Sequence, residues 1–160
     1  MSKSVTLTGF AEDTNGWTAA QWCTMERALR LIGTRSAMTL LREAFYGATR
    51  FDDLIRRAGV TPAVGSQRLR QLVESGLLAR EPYQEAGQRT RHQYTITDLG
   101  RQTFPVITAL AHLGEQLPDD TGGTVEFSHA GCGQPLAAEV RCARGHLVTP
   151  EETVVTAVRT

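Results

Sequence analysis

Two stretches of this 160-residue chain carry side chains whose types and spacing could do chemistry. The first is 61-TPAVGSQRLRQLVESGLL-78, followed a little further on by Arg89, Thr90 and Arg91. Amides and guanidiniums repeated along one helix can address base edges, glutamine matching adenine and arginine matching guanine or phosphate. The second is the pair His129-x2-Cys132 and Cys142-x3-His146. Two short pairs of thiol and imidazole on two turns could hold a structural zinc tetrahedrally. The spacings depart from a standard Cys-x2-Cys pair, so a metal-free ribbon is preferred and no cofactor is required. No nucleophile–base–orienter set, phosphate loop or pair of carboxylates at useful spacing is present, so an enzyme is not expected. Asp52 and Asp53 read as the solvated start of a helix, where acids suit the dipole.

Bulk properties set the frame for these groups. The chain is 41% hydrophobic and 21% charged, which fits one globular domain with a core and an appendage. No apolar run approaches the roughly 20 residues of a membrane helix. The polar opening MSKSVTLTGFAEDTNG lacks a signal-peptide apolar region, so a cytoplasmic protein with no membrane partner is expected. Three cysteines, an odd and sparse set, argue against a disulfide scaffold. Net charge is zero, yet eight arginines stand against five acids between Arg50 and Tyr94. Arginine outnumbers lysine sixteen to one.

The apolar spacing shows which elements must position these groups. Met25, Ala28, Leu29 and Ile32 make a first amphipathic helix closed by Gly33, and Ala37, Leu40, Leu41, Ala44 and Phe45 a second, stopped by Gly47. Phe51, Leu54 and Ile55 mark a short third helix ending at Gly59. Thr61 as N-cap and Pro62 at the first turn open the fourth, which runs to Ser75-Gly76. Leu77 to Tyr83 and Arg91 to Ile96 then read as a hairpin with the polar turn QEAGQRT. Thr97 can cap a fifth helix through about Leu117, which Pro105 should kink or divide. After PDDTGG the tail reads as short strands and tight turns. The order predicts a mostly α fold with a small β-hairpin wing, a winged helix-turn-helix, plus a short β-rich tail. Three segments are expected: a flexible arm at 1–16, a DNA-binding domain at 17–117, to which the resemblance given below adds dimerisation, and a ribbon-like extension at 118–160.

On the fourth helix, Gly65, Leu69, Leu72 and Val73 fall on the core side, with Ala63, Val64, Gln67 and Gln71 opposite and Arg68 and Arg70 on the flanks. A face of small residues and amides edged by arginine suits a groove about 12 Å wide. The expected DNA contacts are Arg50, Thr61, Ala63, Val64, Gln67, Arg68, Arg70 and Gln71, with Arg89, Thr90 and Arg91 on the wing. The competing reading is a winged-helix assembly module that binds protein and not DNA.

The landmarks 23-CTMERALRLIG-33, 42-REAFYGATRFDDLIRR-57, 67-QRLRQLVESGLLAR-80 and 91-RHQYTITDLG-100 resemble the HxlR-type family of winged-helix transcription regulators, relatives of the MarR group. The likeness covers about Trp22 to Leu117. It implies a homodimer built on the first and last helices of this domain, bound to double-stranded DNA at a near-palindromic operator with half-sites about 34 Å apart. The leading reading is then a DNA-binding regulator, a repressor, responsive to a small-molecule effector or a thiol-reactive signal. Cys23 stands where some members carry a redox-sensing thiol; the alternative is a small buried hydrophobe. Many members carry a bulky aromatic where this chain has Ser36. A serine there could cap the second helix or leave room for a ligand, or Trp17, Trp22 or Met38 could fill the volume. Related regulators have a tail of H-x-x-C-G then C-x-x-C-G form, and Gly145 sits here at the last cysteine position. His146 is then a substitute ligand, or the ribbon holds no metal.

Overall fold

The computed structural model describes residues 4–9, 23–84, 90–118, 123 and 125–157. After the strand β1 (Thr6–Gly9) come four helices: α1 (Thr24–Ile32), α2 (Arg35–Phe45), α3 (Phe51–Ala58) and α4 (Pro62–Glu74). Leu40, Leu41, Leu54, Leu69, Leu72 and Leu78 are fully buried and form the centre of the core. Each contributes about 2 kcal/mol of apolar burial relative to exposure. They come from α2, α3, α4 and the first strand of the wing, so the core lies directly behind α4.

The wing is the antiparallel pair β2 (Leu78–Tyr83) and β3 (Arg91–Ile96), in register from Leu78↔Ile96 to Tyr83↔Arg91. Of its turn, residues 85–89 lie outside the described residues, and Arg89 with them. The base of the wing is fastened to the rest of the domain. Tyr94 donates its backbone N–H to the Thr49 carbonyl at 2.8 Å, and Arg50 and Gln93 form a further β-bridge. Thr97 joins α4 to the next helix, because its hydroxyl donates to the Gly76 carbonyl and accepts from the Gly100 N–H.

Beyond the wing the apolar period runs from Thr97 to Leu117, but the chain makes two helices, α5 (Asp98–Arg101) and α6 (Phe104–Glu115). Pro105 sits in the first turn of α6, where its missing N–H costs nothing, and the preceding turn is cut off as expected. The tail is mostly irregular. It has two tight turns closed by the bridges Ser128↔Pro135 and Arg141↔Leu147, then one strand, β4 (Val154–Ala157).

Two expectations need correction. Thr6–Gly9, placed by sequence in a flexible arm, forms the strand β1 and pairs in parallel with β4, Thr6 opposite Val154. The alternation of Thr6, Leu7 and Thr8 has the strand period, and its partner lies at the far end of the chain, where local reading does not look. Ser36 does not cap α2. Thr34 holds that place, accepting from the Ala37 N–H at 3.3 Å, while the Ser36 hydroxyl bonds the Thr34 hydroxyl. Trp17 and Trp22, offered as fillers of the volume beside Ser36, lie outside the described residues.

Candidate nucleic-acid interface

The turn between α3 and α4 is set by two glycines and a threonine. Gly59 ends α3 with φ 62°, the left-handed conformation in which glycine carries no steric penalty. Thr61 then accepts the Val64 N–H, and Pro62 follows at the first helical position. Gly65 lets the two helices touch: a Cβ there would lie 1.8 Å from Ile55 Cδ1. A side chain at 65 would have to displace the Ile55 side chain that fills the contact between α3 and α4.

That exposed face is largely the one expected. Gly65, Leu69 and Leu72 are buried, and Val73 packs against the core. Thr61, Ala63, Val64, Gln67 and Arg70 are exposed. Arg68 and Gln71 are half-buried and hold each other, Arg68 Nη1 donating to Gln71 Oε1 at 2.8 Å. Arg68 Nε is buried with no hydrogen-bond partner among the described residues. In this form, then, Arg68 and Gln71 brace one another beside the reading face, while Ala63, Val64 and Gln67 are free at its centre.

Between the start of α3, the flank of α4 and the wing lies a recess of about 600 Å³. Arg50, Ser66, Arg80, Tyr83, Arg91 and His92 line it, with Asp52 and Asp53 at the same margin. The Arg50 guanidinium carbon sits 3.4 Å from the Tyr83 ring centroid, a cation–π contact that ties the entrance of α3 to the end of β2. Arg80 reaches His92 Nδ1 at 3.1 Å across the hairpin. A hydrogen bond from Arg56, 2.7 Å long, is the main cause holding the Asp53 carboxyl below its usual range, helped by the charges of Arg56, Arg57 and Arg50. Asp53 is therefore ionised at neutral pH and paired within its own helix, and the exposed arginines dominate the rim. Arg50, Arg91 and His92 beside it on the wing were expected here; Ser66, Arg80 and Tyr83 were not. Ser66 lies on α4 between Ala63 and Arg70 at helical spacing, and Arg80 lies on the strand that follows, so both had a periodic signal. Tyr83 is placed by the strand register, which the sequence alone does not display.

These features in this order are those of a DNA-binding winged helix, and the comparisons with known proteins decide the family. The profile described as HxlR-like helix-turn-helix matches residues 31–122. The chain belongs to the HxlR-like helix-turn-helix family. It is 38% identical over 132 residues to Rv3095 of Mycobacterium tuberculosis, named an HTH-type transcriptional regulator, a match covering 78% of this chain and 82% of that one. Among solved structures, the candidate transcription factor PA1607 superposes with a TM-score of 0.73 at 31% identity, covering 86% of this chain and 96% of its own. The redox regulator HypR in its oxidized form gives a TM-score of 0.55 at 26% identity, covering 61% and 99%. This HxlR-like chain is thus a transcriptional regulator with a helix-turn-helix domain, and the family implies DNA binding.

Two groups stand apart from this interface. Cys23 is half-buried at the N-cap of α1 and makes no side-chain capping bond. In the tail, His129 Nδ1 and Cys132 Sγ lie 3.2 Å apart on one turn, and Cys142 and His146 sit on the other. Among the described residues no three His, Cys, Asp or Glu side chains gather as a metal set. Of the four candidate ligands, the described side chains bring His129 and Cys132 within reach of one another. Arg141 clasps the second turn instead, bonding Glu139 and donating to the Gly145 carbonyl at 2.8 Å. No helix among the described residues is long and apolar enough to cross a membrane.

Proposed function

We propose that this HxlR-like protein is a dimeric, sequence-specific repressor that sets α4 in the major groove of double-stranded DNA and lays its wing on the backbone. The observation that carries this is the exposed Ala63, Val64 and Gln67 face beside an arginine-lined recess. Small residues permit close approach, Gln67 offers an amide to a base edge, and Arg50, Arg80 and Arg91 offer guanidiniums to phosphate. Residues 17–117 serve as the DNA-binding and dimerisation unit and 118–160 as an extension of it. The dimer rests on α1 and α6. No residue of α1 is buried, and Met25 and Leu29, like Val106 and Leu113 of α6, stand exposed in the single chain. Apolar faces of this kind are normally covered. The signal reaches it as a small molecule or through thiol chemistry at Cys23, the latter supported by the likeness to a redox regulator. The reading asks for no cofactor and no catalytic step, and places the protein with its DNA in the cytoplasm.

Selection of bound sequences from a random DNA pool supplies the operator for a direct test. Gln67→Ala should flatten the preference at one base position, costing about 1–3 kcal/mol against the selected site. Arg91→Ala should weaken binding to all sequences alike and reduce the slope of log affinity against log salt by about 1. Binding to labelled operator that neither substitution alters would defeat the proposal. Absence of any salt-dependent DNA binding at low ionic strength would leave a protein-assembly module.

A further inference from the structure

Behind the reading face, on the far side of α2, lies a cavity of about 410 Å³ walled by α2, α6 and the start of the tail. Met38 and Tyr46 line it from α2 and its cap, Leu110 and Gly114 from α6, and Phe127 from the tail. The rings of Tyr46 and Phe127 meet at 6.4 Å, and Phe127 also meets Phe104 edge-on at 6.1 Å. The volume falls within the range of about 300–1,000 Å³ typical of small-molecule sites, which are likewise mostly apolar with a few convergent polar groups.

Its charges narrow the occupant. Arg42 and Glu115 are the charged side chains lining the cavity. The guanidinium of Arg42 is already neutralised: its Nε and Nη2 both donate to Oε1 of the buried Glu43, at 2.9 and 2.6 Å. Its Nη1 has no hydrogen-bond partner among the described residues. The cavity therefore presents a spare N–H donor on a guanidinium already neutralised by Glu43, and the Glu115 carboxylate is the charge left on its lining. A carboxylate or sulfonate would enter against that charge, whereas a neutral carbonyl would take the donor without opposing it. Tyr46, Phe127 and the thioether of Met38 favour a flat aromatic body over a flexible chain.

We infer that this cavity is a binding site for an uncharged aromatic molecule of one or two fused rings that carries a carbonyl or similar acceptor directed at Arg42 Nη1. The site is placed to be felt at the DNA face. Tyr46 is three residues from Thr49, whose carbonyl holds Tyr94 of the wing, and α2 also carries Leu40 and Leu41 of the core behind α4. As the site of an effector it rests on the regulator reading above; as a binding site it stands independently of it.

The test uses the full chain without DNA, so its outcome does not depend on DNA binding. Prodan, an uncharged naphthyl ketone whose emission shifts in apolar surroundings, is titrated in parallel with anilinonaphthalene sulfonate, a naphthalene of similar size bearing a negative charge. The expected result is saturable prodan binding at one probe per chain, with the sulfonate at least about tenfold weaker. Gly114→Trp fills the cavity from α6, where a Cβ added to the glycine would meet nothing within 4 Å, and should abolish that binding. Gly114→Ala leaves the space open and should keep it. Thr39→Trp fills from the opposite wall, since the Thr39 hydroxyl bonds only backbone of its own helix, and guards against a folding defect in the first variant. Circular dichroism confirms that the compared proteins are folded. Absent or non-saturable prodan binding, equal affinity for the sulfonate, or full binding in both tryptophan variants would each overturn the site.

Discussion

The α3–α4 unit and the C-terminal tail are built on opposite principles. In α3–α4 each local choice is backed by a non-local one. Thr61 caps α4, Gly59 turns the chain, and Gly65 and Leu69 are held by Ile55 and the leucines of α2. In the tail the two turns are closed by their own backbone bonds, and almost every side chain is exposed. Its attachments are Phe127, packed against the core, and the pairing of β4 with β1. One region is specified by burial and tolerates no slack; the other is specified by turns and tolerates much.

The largest effect that should separate them is Leu69→Ala. A fully buried leucine replaced by alanine costs about 2–5 kcal/mol, read by urea denaturation, and should take the wing and α4 down together. Next is Phe127→Ala, which removes the ring that meets both Tyr46 and Phe104. Being half-buried, it should cost about 1–2 kcal/mol. A loss equal to that of Leu69→Ala would mean that the tail belongs to the core and the contrast fails. The smallest is Arg141→Ala. Its partners are exposed, so global stability should stay within about 0.5 kcal/mol of the parent, while amide exchange at Gly145 speeds up. A global loss above about 2 kcal/mol would instead make the clasp a tertiary strut.

The same contrast governs what could be read from residues alone. Helix starts and stops came from caps, glycines and prolines at short range, and the buried side of α4 came from a period of 3.6, so this part of the fold was legible. The reading face followed, because it is the complement of the buried one. What escaped was long-range. The partner of Thr6–Gly9 lies 148 residues away, and Tyr83 joins the recess only through hairpin register and the contact with Arg50. Arg68 had the right helical angle to be exposed, but its Nε is buried and its tip is held by Gln71, a matter of rotamer and not of periodicity. The tail ligands were grouped by residue type, and type does not bring two turns together.

The β1–β4 pairing has a consequence for how the molecule assembles. The helices and the hairpin all lie inside the loop this ribbon closes, and the entropy of closing a loop grows with its length. Helices and hairpin, made of near neighbours, can form while the ends are still free; the ribbon must wait for them. It should be the last seam to be sewn and the first to part, opening while α4 stays packed on its leucines.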